Sequence, residues 1–155
     1  MSLPVVLAAL AGTLPLHGTL VPDRSLGGLR LGDSPARVVA KWGHGFGVCT
    51  DCPRTTWYYN FTRYAPQGAG VEFAGTHVAA IFTLWSPTGW RTAEGLRTGD
   101  PAARITALYG QLSLQRCDTY DARVLIRAHS VTAFYVVGRK VWGFGLMRPS
   151  VSACR

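Results

Sequence analysis

Cys49-Thr50-Asp51-Cys52 has the C-x-x-C spacing used by zinc knuckles and by dithiol oxidoreductases, and no other segment of this 155-residue chain carries so much latent chemistry. Structural zinc needs four ligands, usually from two such pairs or from a pair plus spaced histidines. Only His44 and His77 are near in sequence, and their spacing fits no usual zinc pattern. A redox dithiol sits at the start of a helix, where the dipole lowers the thiol pKa. Here Pro53-Arg54-Thr55-Thr56-Trp57 leads into a strand instead. The four cysteines, Cys49, Cys52, Cys117 and Cys154, are an even number in a small chain, the pattern of disulfides in an oxidising compartment. Three pairings are open. The expected one joins Cys49 to Cys52 and Cys117 to Cys154, the second bridge fastening the carboxy-terminal tail, with a thiol oxidoreductase using Cys49 and Cys52 as the alternative.

Other catalytic patterns are missing. Gly43-His44-Gly45-Phe46-Gly47 looks like a phosphate cradle, but it follows a helix instead of opening one, so no helix-start N–H groups are there to hold an anion; a flexible connection is expected. His17, His44, His77 and His129 lie in separate segments, and there is no H-E-x-x-H or G-x-S-x-G. Two glutamates and six scattered aspartates give poor support to a two-carboxylate hydrolase. The expectation is therefore a protein without catalytic, metal or cofactor sites.

Sixteen basic residues stand against eight acidic ones, a formal charge of +8, and only Lys41 and Lys140 are lysines. The arginines are spaced almost evenly from Arg24 to Arg155, whereas nucleic-acid binders gather theirs into a patch or run. This spacing argues against nucleic acid, and a binder of anionic polymer (nucleic acid or acidic glycan) is kept as the alternative function. With 48% hydrophobic and 15% charged residues the chain has the composition of a folded protein. The stretch Leu3–Leu16 is apolar, and Ala9-Leu10-Ala11 has the small-x-small form of a secretory cleavage site; Pro4, Pro15 and the short length argue against a transmembrane segment. Residues 1–22 are thus read as a signal-peptide remnant or an amino-terminal extension, the competing reading being a first strand or helix docked on the core. Together with the cysteines this places the protein outside the cell or in its envelope.

The elements that would position any site come from an internal match. Residues 28–43, GLRLGDSPARVVAKWG, and 95–110, GLRTGDPAARITALYG, agree at nine of sixteen positions. Each has the grammar of a short capped helix: Asp100 as N-cap with Pro101 first in the helix, Ser34 as the cap of the earlier copy, and Gly43 or Gly110 at the end. Strands are expected after each helix, at Thr55–Phe61, Val71–Ala74 and His77–Trp85, then at Arg123–Ala128, Thr132–Val137 and Lys140–Met147. The expected fold class is α+β, two tandem repeats (23–85 and 95–155, linked by 86–94), each one short helix followed by a three-stranded antiparallel meander.

The motifs G-D-S-x-x-x-V-x-x-x-W-G before Cys49 and G-D-x-x-x-x-I-x-x-x-Y-G before Cys117 resemble the duplicated units of the secreted β-lactamase inhibitor proteins, and the unit is similar to that of small outer-membrane assembly lipoproteins. The resemblance implies a secreted, non-enzymatic binding protein with a concave sheet face.

Strand parity picks out that face. A turn at Gly75-Thr76 pairs Phe73 with Val78 and Val71 with Ala80, which, with Val136, Val141, Phe82 and Leu84, form the expected core side. The other parity carries Glu72, Thr83 and Trp85, then Tyr135, Lys140, Trp142 and Phe144, joined by Tyr58 and Asn60. Rigid rings among polar groups suit recognition. The expected binding residues are Tyr58, Trp85, Tyr135, Lys140 and Trp142, bordered by Trp90 and Arg91, and the expected partner is a protein or envelope macromolecule. The competing reading buries both sheet faces, the second against the other repeat or a homodimer partner.

Overall fold

The computed structural model describes residues 13–60 and 67–155. Helix is confined there to the two matching segments. Helix α1 spans Pro35–Trp42 and α2 spans Ala103–Tyr109. The Ser34 hydroxyl caps α1 by accepting the Arg37 N–H at 3.2 Å. Both helices end on a glycine with φ 78°, a value that side-chain-bearing residues rarely adopt.

Asp100 does not cap α2. Its carboxylate accepts the Arg97 N–H at 2.8 Å and pairs with Arg104 at 2.5 Å, closing the turn that precedes the helix, and α2 begins two residues beyond Pro101. Asp33 closes the equivalent turn by accepting the Arg30 N–H at 2.8 Å. The backbone beside each aspartate then ties onto a strand. Gly32 N–H donates to Val78 O at 2.8 Å and Val78 N–H to Asp33 O at 2.9 Å; Gly99 and Val141 repeat this at 2.8 Å, as do Val141 and Asp100. The shared G-D pair is thus a clip between loop and sheet.

The strands in chain order are β1 (Thr19–Val21), β2 (Ser25–Leu26), β3 (Phe46–Cys49), β4 (Thr55–Tyr59), β5 (Gly68–Ala74), β6 (His77–Leu84), β7 (Arg91–Thr92), β8 (Ser113–Arg116), β9 (Asp121–Ile126), β10 (Val131–Val137) and β11 (Lys140–Met147). Eight of them form one antiparallel sheet in the order β3-β4-β5-β6-β11-β10-β9-β8, and β2-β1-β7 form a second, small sheet. This overturns the expected α+β pair of helix-plus-three-strand meanders. The described residues are mostly β, with 43% strand and 11% helix, and strands from both matched halves merge into one eight-stranded sheet. Edge strands β3 and β8 escaped the sequence reading because they are short, largely exposed and without a clean alternation of apolar residues.

The seam between β6 and β11 pairs Leu84 with Gly143 and Ala80 with Met147. A methyl group on Gly143 would run into the Thr83 carbonyl oxygen and lie 2.8 Å from its carbon. Because backbone cannot step aside as a flexible side chain can, Gly143→Ala is expected to cost about 2–3 kcal/mol, read as a lowered urea midpoint.

Under the helices lies one core. Trp42 donates its indole N–H to Gly27 O at 2.8 Å, and its ring meets Trp90 and Tyr59 edge-on at 5.5 and 5.3 Å. Val38, Ile105, Ile81, Phe134 and Phe144 complete it. The opposite face of the sheet is covered by the carboxy-terminal segment 148–155. Val151 and Ala153 are buried there with Tyr120, Val124 and Tyr135. Disulfides join Cys49 to Cys52 and Cys117 to Cys154, and the second anchors this segment to the end of β8.

Two bulges redistribute the side chains. Between β5 and β6, Glu72 faces Ala80 and Phe73 faces Val78, leaving Ala79 extra; between β10 and β11, Tyr135 faces Gly143 and Val136 faces Val141, leaving Trp142 extra. Alternation is broken at both points. Phe82 and Leu84 therefore lie on the tail side, and Phe144 on the helix side, the reverse of the expected parity.

The reading of Leu3–Leu16 as a leader falls mostly on residues outside the described ones. Within its described end Pro15 O accepts the Trp90 indole N–H at 2.7 Å, and beyond it Leu20 in β1 is fully buried.

Candidate functional site

Each bulge or turn on the tail side re-aims an aromatic ring. Trp142, the extra residue of its bulge, stacks on Trp85 with centroids 4.7 Å apart and planes 23° from parallel. Trp85 N–H donates to Trp142 O at 2.5 Å, which fixes the two residues to one another. Trp85 itself has φ 61°, a conformation costly for a bulky side chain and found mostly where the surroundings impose it. Both indoles are only partly buried.

Leu84, the residue before Trp85, lines a hollow of about 120 Å³ with Tyr58, Gln67, Glu72, Phe82 and Arg155. Its floor is aromatic. Phe82 lies against Gly70, where a side chain would collide with the ring, and Tyr58 meets Phe82 edge-on at 6.1 Å. Its wall is ionic: the Arg155 guanidinium pairs with Glu72, stands 5.6 Å from the Phe82 ring centre, and is only 5% exposed. Arg54 approaches Glu72 from the other side at 3.8 Å. Removing Glu72 would leave the buried Arg155 guanidinium without its carboxylate, a costly state. Burial raises the Tyr58 phenol pKa, Glu72 raises it further, and Arg155 partly offsets both. Tyr58 therefore offers a neutral hydroxyl at physiological pH.

This hollow shares a lining residue with each of two others. A concavity of about 510 Å³ shares Tyr58 and runs along Gly47, Val48 and Thr50; another, of about 480 Å³, shares Gln67 and takes in Leu16, Asn60, Trp85 and Pro87. The last of these is bordered by Trp85, one ring of the Trp85–Trp142 stack. The linings mix apolar and aromatic residues (Val48, Tyr58, Phe82, Trp85) with polar ones (Asn60, Gln67, Glu72), a mixture that suits recognition. Among the described residues no group of three or more His, Cys, Asp and Glu is placed to hold a metal ion. Cys49 and Cys52 are joined to each other at the end of an edge strand, with no helix start beside them to activate a thiolate.

Of the residues expected to bind, Trp85, Trp142 and Tyr58 meet on this side. Lys140 opens β11, in the same strand as Trp142, and is exposed; Arg91 is exposed on β7. Trp90 and Tyr135 present no surface. Trp90 is fully buried because the turn before β1 folds over it, and Tyr135 is fully buried because the tail covers it. Phe82, Gln67 and Arg155 were missed. Only the bulge at Ala79, invisible as a sequence pattern, turns Phe82 to this side.

No family model and no curated protein matches the chain. Among solved structures it is similar to an extracellular protein containing a SCP domain from Bacillus anthracis str. Ames, with a TM-score of 0.52 and 10% identity. The match covers 77% of this chain and 44% of that one, so the chain spans less than half of that protein's length. At this identity the likeness is one of fold.

Proposed function

We propose that this is an exported, non-enzymatic binding protein, inhibitor-like or serving assembly or adhesion, that recognises a partner protein through Trp85, Trp142 and Tyr58. The observation that carries the reading is the Trp85–Trp142 stack, held partly exposed by a bulge on one side and a left-handed backbone on the other. Strain of that kind, spent on presenting two large rings, is hard to account for by packing alone. Export is supported by the two disulfides and by the extracellular setting named for the structural neighbour.

The test is capture of the partner from the secreted and envelope fractions of the producing organism, with its identity and affinity then established with purified components. Truncating a central aromatic commonly costs 2 kcal/mol or more of binding, about 30-fold in affinity. Trp142→Ala and Trp85→Ala are each expected to weaken binding by about that factor while the far-ultraviolet dichroism is unchanged. A double variant that binds as well as the parent would refute the assignment.

A further inference from the structure

We propose that a second site, apart from the tryptophan stack, binds the phosphate groups of an anionic polymer that carries no nucleobases. It is a hollow of about 550 Å³ where the β1–β2 turn, the loop into α1 and the β9–β10 turn converge, lined among others by Asp23, Arg24, Arg30, Arg127, His129 and Ser130. Arg24 and Arg30 lie close in sequence, and Arg127 joins them only through the fold.

The scaffold beneath them is fixed. Asp23, with φ 66°, donates its N–H to the Thr132 hydroxyl at 2.9 Å and accepts from the Ser130 hydroxyl through its carboxylate. Arg127 N–H closes its turn on Ser130 O at 2.9 Å, and Arg30 N–H is held by the Asp33 carboxylate at 2.8 Å. The Arg127 guanidinium donates to Ile126 O at 3.3 Å, at its own turn. Ion pairs among the described residues involve Arg54, Arg104 and Arg155, and none reaches Arg24, Arg30 or Arg127. The one acid in the hollow, Asp23, is already engaged by Ser130.

Guanidinium forks suit phosphate oxygens in paired hydrogen bonds. The hollow is large enough for a ligand and not merely one ion, which favours successive phosphates of a chain. Proteins that hold single-stranded nucleic acid add aromatic platforms on which bases stack. No Phe, Tyr or Trp lines this hollow, so the base-free polymer is favoured.

The experiment uses the full chain and labelled inorganic polyphosphate of defined length, with affinity followed by anisotropy as salt rises from about 50 to about 200 mM. Three phosphate contacts should weaken binding about 20–40-fold over that range, and one contact only about 3-fold. Arg30→Ala with Arg127→Ala is expected to bring the response down to the one-contact value. Arg97→Ala with Arg116→Ala removes the same charge outside the hollow, Arg97 being the counterpart of Arg30 in the sister segment, and is expected to keep the larger value. All four side chains are on exposed residues, so both double variants should fold, which circular dichroism checks. Equal loss of slope in the two variants would show a diffuse charge effect and overturn the site. Failure of the parent to bind polyphosphate would do the same. An oligothymidylate with the same number of phosphates that binds more tightly than polyphosphate would overturn the base-free assignment.

Discussion

Replacing Tyr135 by alanine should lower the unfolding free energy by about 3–5 kcal/mol, the range for emptying a large aromatic from a closed core. The ring is fully buried, meets Tyr120 edge-on at 5.5 Å, and donates its hydroxyl to Ala153 O at 2.6 Å. Burial raises its pKa well above the ordinary tyrosine value, so the hydroxyl stays a donor at any physiological pH. Tyr135→Phe keeps the ring and orphans one carbonyl, which costs about 1–3 kcal/mol. Small domains have only about 5–15 kcal/mol of stability, so the alanine variant would lose much of it. Urea unfolding of the two variants gives both numbers. A loss below about 1 kcal/mol for the alanine variant would mean that the tail does not seal this face. From strand parity alone the opposite is expected, a harmless change in the fold with loss of binding.

Serine at Cys117 and Cys154 should cost about 4 kcal/mol on the chain-entropy view, for a bridge that closes a sequence separation of 37. The Cys49–Cys52 bridge, closing a separation of 3, should contribute less than half of that. The two double-serine variants can be compared by thermal and urea melts. The first has a second expected consequence. Freed from Cys117, segment 148–155 would retain only noncovalent hold through Val151, Ala153, the Tyr120 and Tyr135 hydroxyls and the Arg155–Glu72 pair. Increased binding of a hydrophobic dye would report exposure of Phe82 and Tyr135. Equal melts for the two variants would show that the tail bridge adds nothing beyond local closure.

What the sequence made legible was local. The matched segments 28–43 and 95–110 do hold the two helices, the Ser34 cap is where its hydroxyl suggested, and β11 runs over Lys140–Met147 as expected. These follow from capping, proline placement and apolar periodicity, each a property of neighbouring residues. The joining of β6 to β11 is not such a property, and the expected three-stranded units missed both it and the edge strands β3 and β8. Parity failed for a similar reason. A bulge adds one residue without changing composition, and after Ala79 and Trp142 every later side chain on its strand is displaced to the other face. Of the candidate site, Trp85, Trp142 and Tyr58 stood out in the sequence because aromatics in strands are conspicuous, whereas Gln67 and Arg155 carry no pattern. The arginines of the second hollow were hidden in plain view, since even spacing along a chain says nothing of distance across a turn.

The order of strands also governs when the molecule can exist as a finished object. While the polypeptide is being made, β6 is complete long before its neighbour β11, and until then one rim of the sheet's midline offers bare N–H and C=O groups to any passing strand. Gly143, with no side chain to bar the approach, is part of what lets the late arrival close that rim. A chain truncated before residue 140 would keep every strand of the large sheet but β11, leaving β6 and β10 each with an adhesive border, and is best regarded as a seed for aggregation.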